Sequence, residues 1–376
     1  MSSLGSMSQF SSALPHLPLR WYTDPAFEQV EREGLFLKSP QYVGHELMVP
    51  GAGDYFSLPW RDHGQVLVND GHSVALLSNV CRHRQAIMLQ GRGHAQNIVC
   101  PLHRWTYDLS GRLAGAPHFA DQPCLDLERS ELLRWNGLLF EGGESVLREL
   151  AQCRAARDLD FSGYQLDSIK TFHHHFNWKT FIEVYLEDYH VVPFHPGLSG
   201  FVNCDDLRWE FGAGYSVQTV GLKDHLKKAG SPIYQQWHEV VRRYSGEREP
   251  LNGAIWMVIY PNIMVEWYPH VLVVSTVWPA GPHQCTNVVE FYYPEEIVLF
   301  EREFVEAQQQ AYFETAREDD EICERMDRGR RALAVRGREE GGPYQSPMED
   351  GMLHFHEFLH RSIGMMPLVS SGLVGL

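Results

Sequence analysis

Two short pairings of cysteine with histidine constrain this chain more than any other feature. Cys81-Arg82-His83 is followed by Cys100-Pro101-Leu102-His103, a C-x-H-x16-C-x-x-H pattern. Two thiolates and two imidazoles on paired loops suit either zinc or an iron–sulfur cluster with mixed ligands. Zinc fingers usually set Cys beside Cys and His beside His, whereas each loop here offers one of each, Cys first. That order suits a two-iron cluster whose cysteines hold one iron and whose histidines hold the other. The surrounding runs Gln65–Val68, Val74–Ser78, Asn97–Val99 and Gly137–Phe140 are apolar or β-branched. They are separated by Asn69-Asp70-Gly71, Gly91-Arg92-Gly93 and Ser110-Gly111. Residues 44–143 therefore read as a small all-β domain, after an N-terminal segment 1–43 whose Ser-rich start reads as frayed and whose remainder packs on the second domain.

Residues 144–160 are charged and helix-prone and read as a connector. Beyond them, 161–376 has a different pattern. From Phe176 to His190 the residues Phe181, Ile182, Tyr185, Leu186 and Tyr189 keep helical spacing until Pro193 and Pro196 stop it. Residues 205–220, 254–267, 271–279 and 286–293 predict strands of one antiparallel sheet, a long helix runs from Pro294 to Val335, and a short helix holds Phe355, Phe358 and Leu359. The layout is α+β: a β domain, then a sheet gripped by a long helix.

Glu187 and His190 are three residues apart and share a helical face, and His195 follows on a turn that folds back. Two imidazoles and one carboxylate form a facial triad that leaves positions on Fe(II) open to O2 and substrate. Taken alone, His190 and His195 read better as polar residues at a helix end, where an imidazolium suits the dipole.

The chain resembles the Rieske family in Cys81-Arg82-His83-Arg84-Gln85 and in Cys100-Pro101-Leu102-His103-Arg104-Trp105-Thr106-Tyr107 with Gly111. Gln85 and Arg104 stand where glycines are usual. With Glu187-x-x-His190-x4-His195 added, it is similar over nearly its whole length to catalytic subunits of Rieske non-haem iron oxygenases. The resemblance implies a [2Fe-2S] cluster on Cys81, His83, Cys100 and His103, and a mononuclear Fe(II) on His190 and His195. It implies a third ligand in the acidic segment that ends in Arg328-Gly329, at Asp319 with Asp320 as the alternative. It further implies a homotrimer in which Glu187 bridges His190 to His103 of a neighbouring subunit. Val184 takes the place of an asparagine usual in this helix.

The Asn177–Pro196 spacing, the Pro261-Asn262-Ile263-Met264 turn and Ser346-Pro347-Met348-Glu349-Asp350-Gly351 look most like the branch of choline and carnitine monooxygenases. That resemblance implies a quaternary ammonium substrate, which an aromatic cage suits. Trp256, Tyr260 and Trp267 are the candidates, with Tyr268 and Tyr293 behind them. Hydroxylation of an aromatic acid, with Arg208 or Arg243 in the pocket, is the alternative. A non-catalytic Rieske carrier is the reading from another class. No Gly-x-Gly-x-x-Gly follows a strand, so electrons come from a separate NAD(P)H-dependent reductase.

Composition limits the partners. Lys+Arg number 32 against 48 Asp+Glu, a net charge of −16, which disfavours nucleic acid and anionic membrane surfaces. Seven irregularly spaced cysteines argue against a disulfide framework and for a cytoplasmic location, with Cys124, Cys153, Cys204, Cys285 and Cys323 expected to pack as small apolar groups. The run His173-His174-His175 is expected on a surface or strand edge, because consecutive side chains diverge. His354, His356 and His360 read as packing or surface residues.

Overall fold

The computed structural model describes residues 16–121, 123–246 and 249–363, so the frayed start expected at the N-terminus lies outside the described residues. In the first half, Asp54–Ser57, Gln65–Asn69 and Val74–Ser78 are the middle of a five-stranded antiparallel sheet edged by Arg92–His94 and Arg129–Ser130. Alternation divides its side chains. Val66, Val68, Ala75 and Leu77 pack with Cys81, Cys100 and Trp105, while Leu67 and Leu76 pack on the other face with Val43, Met48 and Leu139. A three-stranded sheet of Ile98–Val99, Thr106–Tyr107 and Leu113–Gly115 lies alongside. Gln41–His45, Leu138–Glu141 and Leu133–Trp135 form a third.

The second half is built on a seven-stranded antiparallel sheet. Its strands, in chain order, are β1 (Tyr164–His174), β2 (Val202–Phe211), β3 (Tyr215–Leu222), β4 (Ala254–Ile259), β5 (Ile263–Tyr268), β6 (Val271–Pro279) and β7 (Cys285–Pro294). They are ordered β1-β7-β6-β5-β4-β3-β2. Among its helices are α1 (Trp178–Tyr185), α2 (Val191–Phe194), α3 (Pro232–Ser245), α4 (Arg302–Val335) and α5 (Asp350–Ile363), with short turns of helix at Pro196–Ser199 and Glu295–Phe300. One face of the sheet, with Trp256, Val273, Val289 and Phe291, packs against Phe304, Val305, Ala307 and Ala311 of α4. The other face, with Ile255, Met257, Val265, Leu272 and Val274, packs against Tyr42, Leu138 and Leu159. Trp21, Tyr22 and Phe27 of the N-terminal segment pack with Trp178, Ile182 and Phe355. Among the described residues no helix is long and apolar enough to cross a membrane.

Several boundaries differ from the expected ones. The helix expected to reach His190 stops at Tyr185, and Asp188 donates its amide to the Met348 carbonyl at 3.1 Å instead of continuing the helical ladder. The stretch 205–220 is a hairpin turning at 212–214, and the long helix breaks at Glu301 (φ −123°, ψ 54°). β1 and α3 were not expected at all. β1 mixes polar and apolar residues without strict alternation, so its pattern resembles a loop.

Candidate metal centres and a cavity between sheet and helix

The two cysteine–histidine loops are built alike. The Gln85 amide donates to the Cys81 carbonyl at 3.0 Å, and the Arg104 amide donates to the Cys100 carbonyl at 3.1 Å. Each loop closes through a residue in the left-handed region, Gln85 at φ 55° and Arg104 at φ 60°. These are the positions where the family pattern has glycine, and an L side chain there costs about 1–2 kcal/mol. The sulfurs face inward, with Cys81 and Cys100 both 1% exposed. The imidazoles lie at the tip, their centroids 4.7 Å apart, and His103 is exposed. Trp105 stacks on His83 at 5.0 Å, and Tyr107 places its hydroxyl 3.7 Å from the Cys81 sulfur. His83 Nδ1 is buried without a hydrogen-bond partner. Two buried thiols and paired imidazoles, one with an orphaned nitrogen, fit a mixed-ligand two-iron cluster.

Three separate elements supply the second group. His190 sits just before α2, His195 just after it, and Asp319 in the middle of α4. Each offers one ligand atom, and these atoms all lie within 4.8 Å of one another. His195 Nε2 is 3.0 Å from both His190 Nε2 and the Asp319 carboxylate. The opposite ring nitrogens are each held by a carboxylate. Glu187 meets His190 Nδ1 at 2.5 Å, and Glu318 meets His195 Nδ1 at 2.7 Å. With Nδ1 donating its proton outward, each imidazole turns the Nε2 lone pair toward the shared point, the arrangement that orients histidine metal ligands. Burial works against a charge on His190, yet the carboxylates of Asp319 and Glu187 outweigh it and hold that imidazole up at about 10. A pocket that grips a proton this tightly is suited to a cation, and the donor set is that of a facial triad.

Glu187 reaches His190 from a turn rather than along a helical face, and it also accepts the His190 amide at 3.0 Å. Asp320, the alternative ligand, instead pairs with His174 at 3.0 Å. His174 is buried between Phe176 and Phe172, so the histidine run is only partly at the surface. Cys124 is exposed, against the expectation that all five spare cysteines would be packed. The other four are buried. Glu318 had no role assigned from sequence, and its signal is its position beside Asp319 on the same helix.

The triad opens onto a cavity of about 470 Å³ between the sheet and α4. Of the expected cage residues, Trp256 and Tyr268 line it, and Tyr260, Trp267 and Tyr293 do not. Period-two alternation explains Trp267: Glu266 and Tyr268 face the cavity, so Trp267 packs on the opposite face. Tyr260 lies against His354, 2.9 Å away, and Tyr293 donates to Gln308 at 2.5 Å. Neither candidate arginine lines the cavity: Arg208 pairs with Asp206, and Arg243 with Glu301 and Glu303. Glu266, missed in the sequence reading, is 2% exposed and accepts from Tyr268 at 2.7 Å and Tyr312 at 3.2 Å. Burial pushes its carboxyl up to about 7 against the pull of both phenols, and the charge of Asp319 adds to the rise. Its sequence signal is a single acid inside the otherwise apolar run Ile-Met-Val-Glu-Trp-Tyr.

A cluster-binding β domain ahead of a helix-gripped sheet with a histidine–carboxylate triad defines the class. Residues 39–126 match the Rieske [2Fe-2S] domain family, and residues 161–364 match the catalytic domain of the ring hydroxylating alpha subunits. The chain belongs to the Rieske non-haem iron oxygenases as a catalytic alpha subunit, with a [2Fe-2S] cluster and a mononuclear iron as its cofactors. It is 63% identical over 361 residues to a putrescine 2-hydroxylase of Ralstonia nicotianae, covering 96% of this chain and 99% of that one. It is 52% identical to a putrescine 2-hydroxylase of Bordetella bronchiseptica, over 97% of this chain and 88% of that one. The fold is shared with the quaternary ammonium Rieske monooxygenase CntA, with a TM-score of 0.70 at 20% identity, over 92% of this chain and 94% of that one.

Proposed function

We propose that this chain is the terminal oxygenase that hydroxylates a short aliphatic diamine, putrescine first among them, at the carbon next to the amine-bearing carbon. The observation that carries the reading is the convergence of His190, His195 and Asp319 on the wall of a cavity that also holds a buried carboxylate, Glu266. The two putrescine 2-hydroxylase relatives, matched almost end to end, support the substrate class. In this reading residues 44–143 form the Rieske domain, 144–160 the connector and 161–376 the catalytic domain.

Cys81, His83, Cys100 and His103 hold the [2Fe-2S] cluster, and His190, His195 and Asp319 hold the mononuclear iron. When bound, the two centres supply one electron each and activate O2 for insertion into a C–H bond, the electrons arriving from a separate NAD(P)H-dependent reductase. The protein's own part is positional. Glu187 and Glu318 fix the two imidazole rings, and the apolar wall keeps water from the reacting carbon. Val184, Phe181 and Leu198 contribute to that wall. Glu187 is also the bridge to His103 of a neighbouring copy in a homotrimer. In support, exposed apolar side chains flank both ends of that route: Leu102 (56%) and Phe119 (47%) near the cluster loops, Tyr189 (60%) and Val192 (66%) beside His190.

Turnover with a surrogate reductase, O2 and putrescine tests the reading, with hydroxyputrescine expected in proportion to O2 consumed. His190→Ala is expected to lower iron from about three to about two per chain and abolish product while the cluster spectrum persists. Product formation by that variant sinks the assignment. A carrier without catalysis would hold about two irons from the start.

A further inference from the structure

Glu266 is a buried carboxyl held only by phenols, with no lysine, arginine or histidine among the described residues hydrogen-bonded to it. It lies on β5 directly opposite Trp256 of β4, on the cavity face of the sheet. An ionised carboxylate accepts about four hydrogen bonds, and here two come from the phenols of Tyr268 and Tyr312. Among the described residues no cation pairs with it: the imidazoles of His190 and His195 line the same cavity, but they are engaged by Glu187, Glu318 and Asp319. Lys170 and Arg317 are the only lysine or arginine among its lining residues, and both are exposed. Four further polar atoms on residues lining the same space are buried without a partner: His174 Nε2, the Tyr185 hydroxyl, Asp188 Oδ2 and Asn287 Oδ1. Buried polar atoms are nearly always satisfied, and a set of unsatisfied ones around one cavity points to a ligand.

The molecule contains its own control. Glu290 on β7 is 1% exposed and also accepts from two tyrosines, Tyr42 at 2.8 Å and Tyr292 at 2.5 Å. It lies on the opposite face of the same sheet and does not line the cavity. A glutamate held by two tyrosines is therefore a stable core arrangement in this fold, and what distinguishes Glu266 is its access to the cavity with the triad.

We infer that Glu266 is the anchor for a primary ammonium group of the substrate, which fills its remaining acceptor positions and supplies the missing positive charge. The inference rests on the amine reading above and deepens it. A primary ammonium carries three N–H donors. It can donate to Glu266 while lying against the rings of Trp256, directly opposite on β4, and Tyr268. A quaternary nitrogen has no N–H to give and leaves the open positions of that carboxylate unpaired. The site thus selects a primary amine over its trimethylated analogue, and a diamine keeps its second nitrogen free to lie elsewhere in the cavity.

The test is calorimetric binding to the anaerobic holoenzyme together with steady-state turnover, using putrescine and a trimethyl analogue in which both nitrogens are quaternary and neither carries an N–H. Glu266→Gln is expected to raise the Kd and KM for putrescine roughly 10- to 100-fold, the scale of a lost charged hydrogen bond, with a smaller change in kcat. Affinity for the trimethyl analogue is expected to change less than about threefold, because it makes no hydrogen bond to lose. Glu290→Gln is expected to leave both affinities unchanged, and both variants to keep the full iron complement and cluster spectrum. If the wild-type protein binds putrescine and Glu266→Gln binds it equally well, the anchor is wrong and the amine reading stands. If Glu290→Gln weakens binding as much, the effect is general and the anchor is likewise wrong. If the wild-type protein binds neither amine, the reading itself falls, and the anchor with it.

Discussion

Glu183 on α1 and Glu266 on β5 are both almost removed from water, at 0% and 2% exposure, and they meet opposite surroundings. Around Glu183 stand Arg330 at 2.5 Å, His356 at 2.9 Å and the Tyr22 hydroxyl. Burial alone would raise its carboxyl, but Arg330 foremost, then His356 and Tyr22, outweigh it and hold it at about 2. Glu266 has phenols and no cation, and stays near 7. One carboxylate closes a network tying the N-terminal segment to α1, α4 and α5. The other is left open beside the triad. The contrast teaches that a buried acid tells function from structure through its partners, not through its burial.

The largest effect should come from opening the closed network. Glu183→Ala strands Arg330 and is expected to cost about 3–5 kcal/mol, measured by urea unfolding. Glu266→Gln is expected to leave stability unchanged or slightly raised, since it removes an uncompensated charge. Equal losses in the two variants would break the comparison. Next in size, Asp319→Asn should remove about one iron per chain by metal analysis while preserving the cluster spectrum, placing the cavity acids on the functional side. Full iron retention by that variant would move Asp319 to the structural side.

The pH dependence of stability sharpens the contrast further, because the signs differ. Glu183 is held below its ordinary 4.5, so its stabilisation is complete above that pH and is lost as pH falls toward 2. Glu266 is held above its ordinary 4.5, so its contribution is complete below that pH and is lost as pH rises through about 7. The groups facing Glu266 are Tyr268 on its own strand, Tyr312 and the charge of Asp319 on α4, and Tyr185 on α1. All three phenols are pushed well above 10 by burial, so none titrates in this window. Unfolding free energies of wild type minus Glu266→Gln should therefore fall between about pH 5 and 8. Those of wild type minus Glu183→Gln should instead fall on acidification. Slopes of the same sign would refute the distinction. The smallest effect belongs to Glu290→Gln, expected below about 1 kcal/mol near pH 6, where burial already keeps that carboxyl largely protonated.

What was legible tracks distance along the chain. Cys81 with His83, and Cys100 with His103, lie within one tight loop each, so their spacing alone carried the cluster. His190 and His195 lie five residues apart, but that spacing by itself suits a helix end, and it pointed to iron only beside the Rieske motif. Asp319 could be placed only through the acidic segment's resemblance, and choosing it over Asp320 depends on which face of α4 meets α2. Glu318 lies 123 residues from the imidazole it holds, and no local pattern links them. The cage reading went astray at Trp267 and Tyr260 because an aromatic count carries no information about which side of a strand faces a cavity.

The sequence by itself determined the order of the two domains, the cluster loops, the paired imidazoles and the alternation that makes these segments strands, since all are set by contacts between near neighbours. Only the tertiary structure decided that α4 brings Asp319 to the histidines, that Glu183 is neutralised by Arg330, and that Glu266 is not neutralised at all. Charge compensation is a property of space: whether a buried acid has a cation beside it depends on which distant elements pack against it.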